Sequence, residues 1–498
     1  MNIAAPLHTT DALLLDTLNH YLSVVDRNAV VTLGERLIAA AGGLDALPDY
    51  KLMVAYGGGK DSSYTVSLIR AVQLHLNVLH SRTFRLRIAN MRHAGVPDAV
   101  MANIDRVYRA LRLYDDARVE MLVVDHQQIR PYERHLPFPQ AVRDINRFDV
   151  LMNGHRTAGD GRPTFCNSCN LAVADFYGRA AWWQGGVNAV VTGDSRKEQK
   201  HYFTWIMRLA QRVGLDVDTC RREGFRGLLQ ALDGVAQHYF DELFGEGFDQ
   251  QRAERRVASG SASADPAFIS IYDLVSYRVD DHWDLITEFL DFRFEELAFS
   301  FTESDCANPM LMAHFRGLKV QYVQGRSYHQ GIDEYLELAQ ALMRKKEMPE
   351  RLIELALAPY STLTGKDERR ALANRFASEA FDLSESQLVC MQFAPFVGRG
   401  RELSRFVTLC HPQRLGDLQQ LHELLAGAIE HPALSVWLTQ ISGLPLTALR
   451  SLYGHDLVDF NSDNSLIARV RAGDPHKGRI THLDPVSGVQ VIELVSGR

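Results

Sequence analysis

The chain predicts an α/β protein built on a doubly wound parallel sheet, and two observations carry that expectation. Short, mostly apolar runs at 52–56, 84–90, 119–125 and 189–193 alternate with stretches of helical period. The first run closes on Gly57-Gly58-Gly59 and passes through Lys60-Asp61-Ser62-Ser63 into a helical pattern carrying Val66, Ile69, Val72 and Val78. Strands that alternate with helices build parallel sheets whose ligands lie beyond the carboxyl ends of the strands.

Taken in order, residues 1–50 read as an amphipathic helical lead-in, with Leu13, Leu14, Leu18, Tyr21, Leu22 and Val25, then Val31, Leu33 and Leu37, at helical spacing. Residues 51–325 form the α/β domain, with a helix expected from Pro97 to about Leu113 and another from Phe165 to Gln184. Within it, 196–265 reads as a mostly polar, helical insertion that ends in the small-residue tract 258–265. An apolar pattern resumes at 269–275, and 280–300 reads as helix. Residues 326–498 predict a separate, mainly helical domain closing in a small β tail, with strands expected at 466–470, 479–481 and 489–495.

Composition narrows the function classes. At 46% apolar and 23% charged residues the chain is an ordinary globular sequence, and no apolar run approaches the roughly 20 residues of a membrane span. The first residues lack a basic segment followed by an apolar core, so the expected location is the cytoplasm. A net charge of −7 weighs against an extended nucleic-acid surface, tRNA included, and toward a small-molecule or protein substrate. Six cysteines in 498 residues make no disulfide scaffold.

The strand, glycine turn and helix at 52–80 aim backbone N–H groups and a positive helix end at an anion. Glycines let the backbone approach a phosphate, Lys60 adds a point charge, and Ser62 and Ser63 add hydroxyls and an N-cap. The spacing is not that of a Walker loop, because Asp61 separates Lys60 from the serines. The alternative is an ordinary glycine-rich turn of an α/β protein. Gly57–Ser63 resembles the PP-loop of the N-type ATP pyrophosphatases, with Gly57 where that family has its leading serine. The resemblance implies a PP-loop fold, cleavage of ATP between its α- and β-phosphates, and activation of an acceptor oxygen as an adenylate. It also implies an ATP site at Tyr56, Gly57, Gly58, Gly59, Lys60, Asp61, Ser62 and Ser63, flanked by Ile88, Asn90, Gly193 and Asp194. Lys60, Asp61 and Ser62 would serve catalysis, with Asp61 helping to hold Mg2+. A capping role is the plainer reading of Asp61, and solvation that of Arg196 and Lys197 beyond the last strand.

Cys166-Asn167-Ser168-Cys169 admits redox, metal-binding and accidental readings. Cys306, ahead of Asn308 and Pro309, adds a third thiol. Glycine loop, Cys-x-x-Cys and later cysteine together resemble the layout of tRNA 2-thiocytidine synthetase-type sulfurtransferases over about residues 50–320. That likeness implies a 4Fe–4S cluster on Cys166, Cys169 and Cys306 with one open iron; Zn2+ is the alternative metal. Two departures stand out: 194–198 replaces the family's His-x-x-Asp-Asp, and nothing in the family accounts for 330–498. His314 is the nearest candidate for a fourth ligand, although a lone helical histidine is more often structural. Cys220, Cys390 and Cys410 fit no spacing and read as structural.

The expected activity is therefore ATP-dependent adenylation followed by displacement of AMP by sulfur, on a small-molecule or nucleobase acceptor and with a protein as sulfur donor. The same activation with ammonia as nucleophile, as in 7-cyano-7-deazaguanine synthase relatives, is the first alternative; a non-catalytic nucleotide-binding regulator is the second.

Overall fold

The structure is a computed structural model that describes residues 7–193, 196–253, 264–276, 279–294, 308–345, 348–473, 477–485 and 487–496. Its centre is a six-stranded sheet of β1 (Lys51–Ala55), β2 (Arg85–Arg92), β3 (Val119–Asp125), β4 (Gln128–Pro131), β5 (Ala189–Val191) and β6 (Ala267–Ile269). The spatial order is β4-β3-β2-β1-β5-β6, with β4 antiparallel to β3 and every other pair parallel. The expected α/β architecture is therefore present.

Side-chain alternation along the strands sends residues to two faces. Leu52, Val54 and Tyr56 of the first strand segment, with Leu86, Ile88 and Val191, enter one core. That core is covered by α1 (Leu7–Tyr21), α2 (Val24–Ala41), α3 (Lys60–His80) and α4 (Asp98–Ala110). Met53, Ala55, Ala89 and Val190 enter the opposite core. Its cover is α5 (Gln140–Arg156), α6 (Gly161–Phe165), α7 (Asn167–Trp182), α8 (Arg196–Arg212), α9 (Val217–Arg222) and α10 (Gly224–Phe244), with α11 (Asp249–Ala253) following. The sequence predicts a mostly polar 196–265, but α10 buries Phe225, Leu232, Tyr239 and Phe244 against this face. A wide apolar stripe runs through it that charged neighbours mask in a linear reading.

The C-terminal third adds α12 (Pro309–Leu318), α13 (Tyr328–Lys345), α14 (Glu350–Leu357), α15 (Leu363–Phe381), α16 (Glu385–Phe393), α17 (Leu403–Cys410) and α18 (Leu418–Leu425). It continues with α19 (Pro432–Ser442), α20 (Leu446–Gly454) and α21 (Leu466–Ala472), then the hairpin β7 (Lys477–Leu483) and β8 (Gln490–Ser496). Phe376, Phe381, Met391, Leu449 and Ile467 belong to the same continuous core as Met53 and Val190. The segment 326–498 thus packs through the core of 51–325 rather than standing off from it. Two expectations fail locally. Residues 466–470 are helical because Ser465 Oγ accepts from Ala468 N–H at 3.0 Å and the Glu242 carboxylate accepts from Leu466 N–H at 2.6 Å. That cap comes from α10, far away in sequence. In place of a helix over 280–300 there is a 3-10 turn at Val279–His282 and a π-turn at Leu285–Phe289, with 295–300 outside the described residues. There His282 stacks on Tyr64 with ring centroids 3.7 Å apart, and Leu285 and Leu290 are buried.

Candidate functional site

The parallel strands bring their outgoing loops to one edge of the sheet. After β1 the chain enters α3 on one face, and after β5 it enters α8 on the other. The gap between β1 and β5 is therefore a topological switch point, where open α/β sheets bind ligands. Gly57–Ser63 lies there. Gly57 is exposed and Gly59, Lys60, Asp61 and Ser62 are half-buried, so the loop meets solvent. Gly58 has φ +82°, and an added Cβ would sit 2.7 Å from Val100 Cγ1 and 2.9 Å from Ile104. Only glycine fits that turn beneath α4. On the other side an added Cβ at Gly193 would lie 3.4 Å from Ser62 Cα, so the end of β5 presses against the first turn of α3.

The helix begins three to four residues earlier than an N-cap at Ser62 or Ser63 requires. Gly59 is the N-cap and no side chain caps the start. The serine hydroxyls instead donate back to the Gly59 carbonyl, at 3.1 Å from Ser62 and 2.7 Å from Ser63. Lys60 Nζ and Asp61 Oδ2 pair at 2.8 Å, placing a cation and a carboxylate side by side at the helix start. A helix start faces its first N–H groups and positive end outward.

The flanking residues divide into two groups. The sequence ends β2 at Asn90, but the strand runs on to Arg92 because Arg92 is held by Asp125 of β3 through Nε and Nη2, both at 2.7 Å. Ile88 is consequently inside the core. Asn90 braces the loop: its Nδ2 donates to the Tyr56 carbonyl at 2.7 Å, and its Oδ1 accepts from Tyr108 at 2.6 Å. Asp194 lies outside the described residues.

Cys166 is the buried N-cap residue of α7 and is not in a disulfide, whereas Cys169, in the first turn of α7, is disulfide-bonded. Cys306 lies outside the described residues. Among the described residues no group of three potential ligands gathers around a metal position. Cys166 and Cys169 share one helical turn, but with the Cys169 sulfur held in a disulfide the pair offers one thiol and does not complete a soft-metal site. His314 is spoken for: Nδ1 pairs with the Tyr328 hydroxyl at 2.8 Å and Nε2 with Asn374 Oδ1 at 3.0 Å. It is a satisfied core histidine, not a fourth ligand. Cys220, Cys390 and Cys410 are free thiols, as a structural reading expects.

A polar network braces the cysteine turn from beneath. Tyr239 of α10 donates to Asn153 Oδ1, Asn167 Nδ2 donates to the Tyr239 hydroxyl at 3.2 Å, and Asn153 Nδ2 donates to Ser168 Oγ at 3.3 Å. Beside it, at the carboxyl ends of β2 and β3, opens a small cleft of about 70 Å³ that Cys169 helps to line. His93, His126, Asp149 and Asp175 also line it. Burial pushes His93 down to about 4, and its Nδ1 accepts from Gly95 N–H at 3.0 Å, so it is neutral at ordinary pH. None of these four was singled out by sequence, because they come from separate elements and form no linear motif.

No helix among the described residues is long and apolar enough to cross a membrane. No protein-family model matches the chain, and no curated protein or solved structure matches it.

Proposed function

We propose that the chain is an ATP-dependent, AMP-forming enzyme of the PP-loop ATP pyrophosphatase type. The observation that carries this reading is the placement of Gly57–Ser63 at the switch point, with Gly58 in a left-handed turn and Gly193 against Ser62. In this reading the acceptor oxygen attacks the α-phosphorus of ATP, the bond to the bridging oxygen breaks, and pyrophosphate leaves. Lys60 and the first-turn N–H groups of α3 stabilise charge on the departing phosphates, and Asp61 supplies a carboxylate to Mg2+. Sulfur then displaces AMP from the activated atom. Cys169 on the cleft wall favours sulfur over ammonia as that second nucleophile. With the Cys169 disulfide reduced, a 4Fe–4S cluster or Zn2+ bound through Cys166, Cys169 and Cys306 would supply a docking point for that sulfur.

Phosphorus NMR of the products tests the proposal. AMP and pyrophosphate are expected, and Lys60→Ala or Asp61→Ala should slow their formation by about 10²- to 10³-fold. ADP and phosphate as the main products would overturn it.

A further inference from the structure

Two side chains on the wall of the cleft beside Cys169 have their acceptor atoms taken by consecutive backbone amides. β2 ends at Arg92, and the turn over 93–95 follows it. Within that turn Gly95 N–H donates to His93 Nδ1 at 3.0 Å. Ala94 N–H, one residue earlier, donates to Asn146 Oδ1 of α5 at 2.9 Å. A neutral imidazole whose Nδ1 accepts carries its proton on Nε2. An asparagine whose Oδ1 accepts from a backbone N–H turns its NH2 group the other way. His93 and Asn146 both line the cleft. Among the described residues neither His93 Nε2 nor Asn146 Nδ2 makes a hydrogen bond. Burial disfavours the charged form of the His93 ring, so both donors are uncharged. Their orientation is set by the backbone before any ligand arrives. Phe165, Phe240 and Phe381 give the same cleft flat apolar walls, the last of them from α15. A donor left unmet against such walls costs free energy that an incoming acceptor recovers.

We infer that this cleft binds the carbonyl oxygen of a small, uncharged amide through His93 Nε2–H and Asn146 Nδ2–H. One carbonyl oxygen has two lone pairs and accepts from both donors. The three phenylalanine rings take the planar body, and a cleft of about 70 Å³ suits a molecule of few heavy atoms. Calling that molecule the acceptor rests on the adenylation reading; the recognition of its oxygen does not.

The test titrates acetamide, without nucleotide, into the full chain carrying isotopically labelled histidine, and follows the imidazole signals by NMR. The His93 signals, identified by their loss in His93→Asn, should show a proton on Nε2 and none on Nδ1. The Nε2 proton should move downfield to saturation as acetamide binds. His93→Asn keeps an acceptor for Gly95 N–H while removing the Nε2 donor, and Asn146→Asp keeps the acceptor for Ala94 N–H while removing the amide donor. Each should weaken acetamide binding by about tenfold, with a Tm close to the parent's showing that the turn over 93–95 is held. A His93 ring protonated on Nδ1 would overturn the inference, as would a parent chain whose Nε2 proton ignores acetamide. Unaltered acetamide affinity in both variants would also overturn it. The readings on the parent chain decide the matter even where a substitution prevents folding. The readout contains no ATP, so failure to form AMP in the product assay would retire the adenylation reading separately.

Discussion

Replacing Gly58 with alanine should disable the loop at a cost that can be worked from its surroundings. At φ +82° an alanine stands in the left-handed region, which costs about 1–2 kcal/mol. Its Cβ would also meet Val100 Cγ1 at 2.7 Å and two Ile104 carbons at 2.9 Å, contacts that force side chains of α4 to shift. Overpacking of that kind typically costs about 1–3 kcal/mol. The sum is about 2–5 kcal/mol, enough to move the loop rather than be absorbed in it. Gly193→Ala is the matched control: its φ is ordinary and its new contacts begin at 3.4 Å, so it should cost less than about 1 kcal/mol. Thermal unfolding and ATP titration measure both variants. Gly58→Ala should lower Tm clearly and remove most ATP binding, while Gly193→Ala should hold its Tm. Equal Tm values for Gly58→Ala and the parent, with ATP binding intact, would refute the reasoning about the loop.

Further expectations concern the scaffold. Tyr239→Phe strips partners from Asn153 Oδ1 and Asn167 Nδ2, both buried, and should lower stability by about 1–3 kcal/mol, read as a fall in Tm; an unaltered Tm would show that the network beneath the cysteine turn is dispensable. His155 is fully buried with neither ring nitrogen hydrogen-bonded, and burial pushes it down to about 3 from an ordinary value near 6.5. The unfolded chain therefore binds a proton that the folded chain refuses, so stability is full above about pH 6.5 and falls as pH drops toward 3. His155→Leu should lose less Tm than the parent between pH 7 and pH 5, and equal losses would contradict the assignment. Burial alone would raise the Glu493 carboxyl, but Lys319 and Arg316 hold it down at about 2. Its anchoring of β8 should thus be complete above about pH 4.5 and fade below it, and Glu493→Gln should make the hairpin sensitive to proteolysis already at neutral pH.

What the sequence reveals of this fold depends on how local each cause is. The β1–loop–α3 unit is legible because the buried strand, the glycines and the helix lie within 30 residues, 51–80. The end of β2 is not, because a charged residue reads as a strand exit until its partner Asp125 on the neighbouring strand is known. The helix at 466–472 reads as a strand because Leu466, Ile467 and Val470 favour one, and the Glu242 carboxylate that caps it cannot be found from the adjacent sequence. The cleft is the extreme case. It is assembled from residues 91–93, 126, 142–150, 164–175, 236–240 and 381, and Cys169 is the one member that a spacing marks. Conversely, His314 looks like a ligand in sequence only because Tyr328 and Asn374, which occupy its two nitrogens, lie 14 and 60 residues away.

The central claim is that Gly57–Ser63 holds the phosphates of ATP, and a crystal structure of the chain with a magnesium complex of α,β-methylene ATP tests it most directly. The account predicts the phosphates against the first turn of α3, Lys60 in contact with them, Asp61 facing the metal and the nucleotide seated between the ends of β1 and β5. Nucleotide bound elsewhere on the chain, with Gly57–Ser63 untouched, would contradict it.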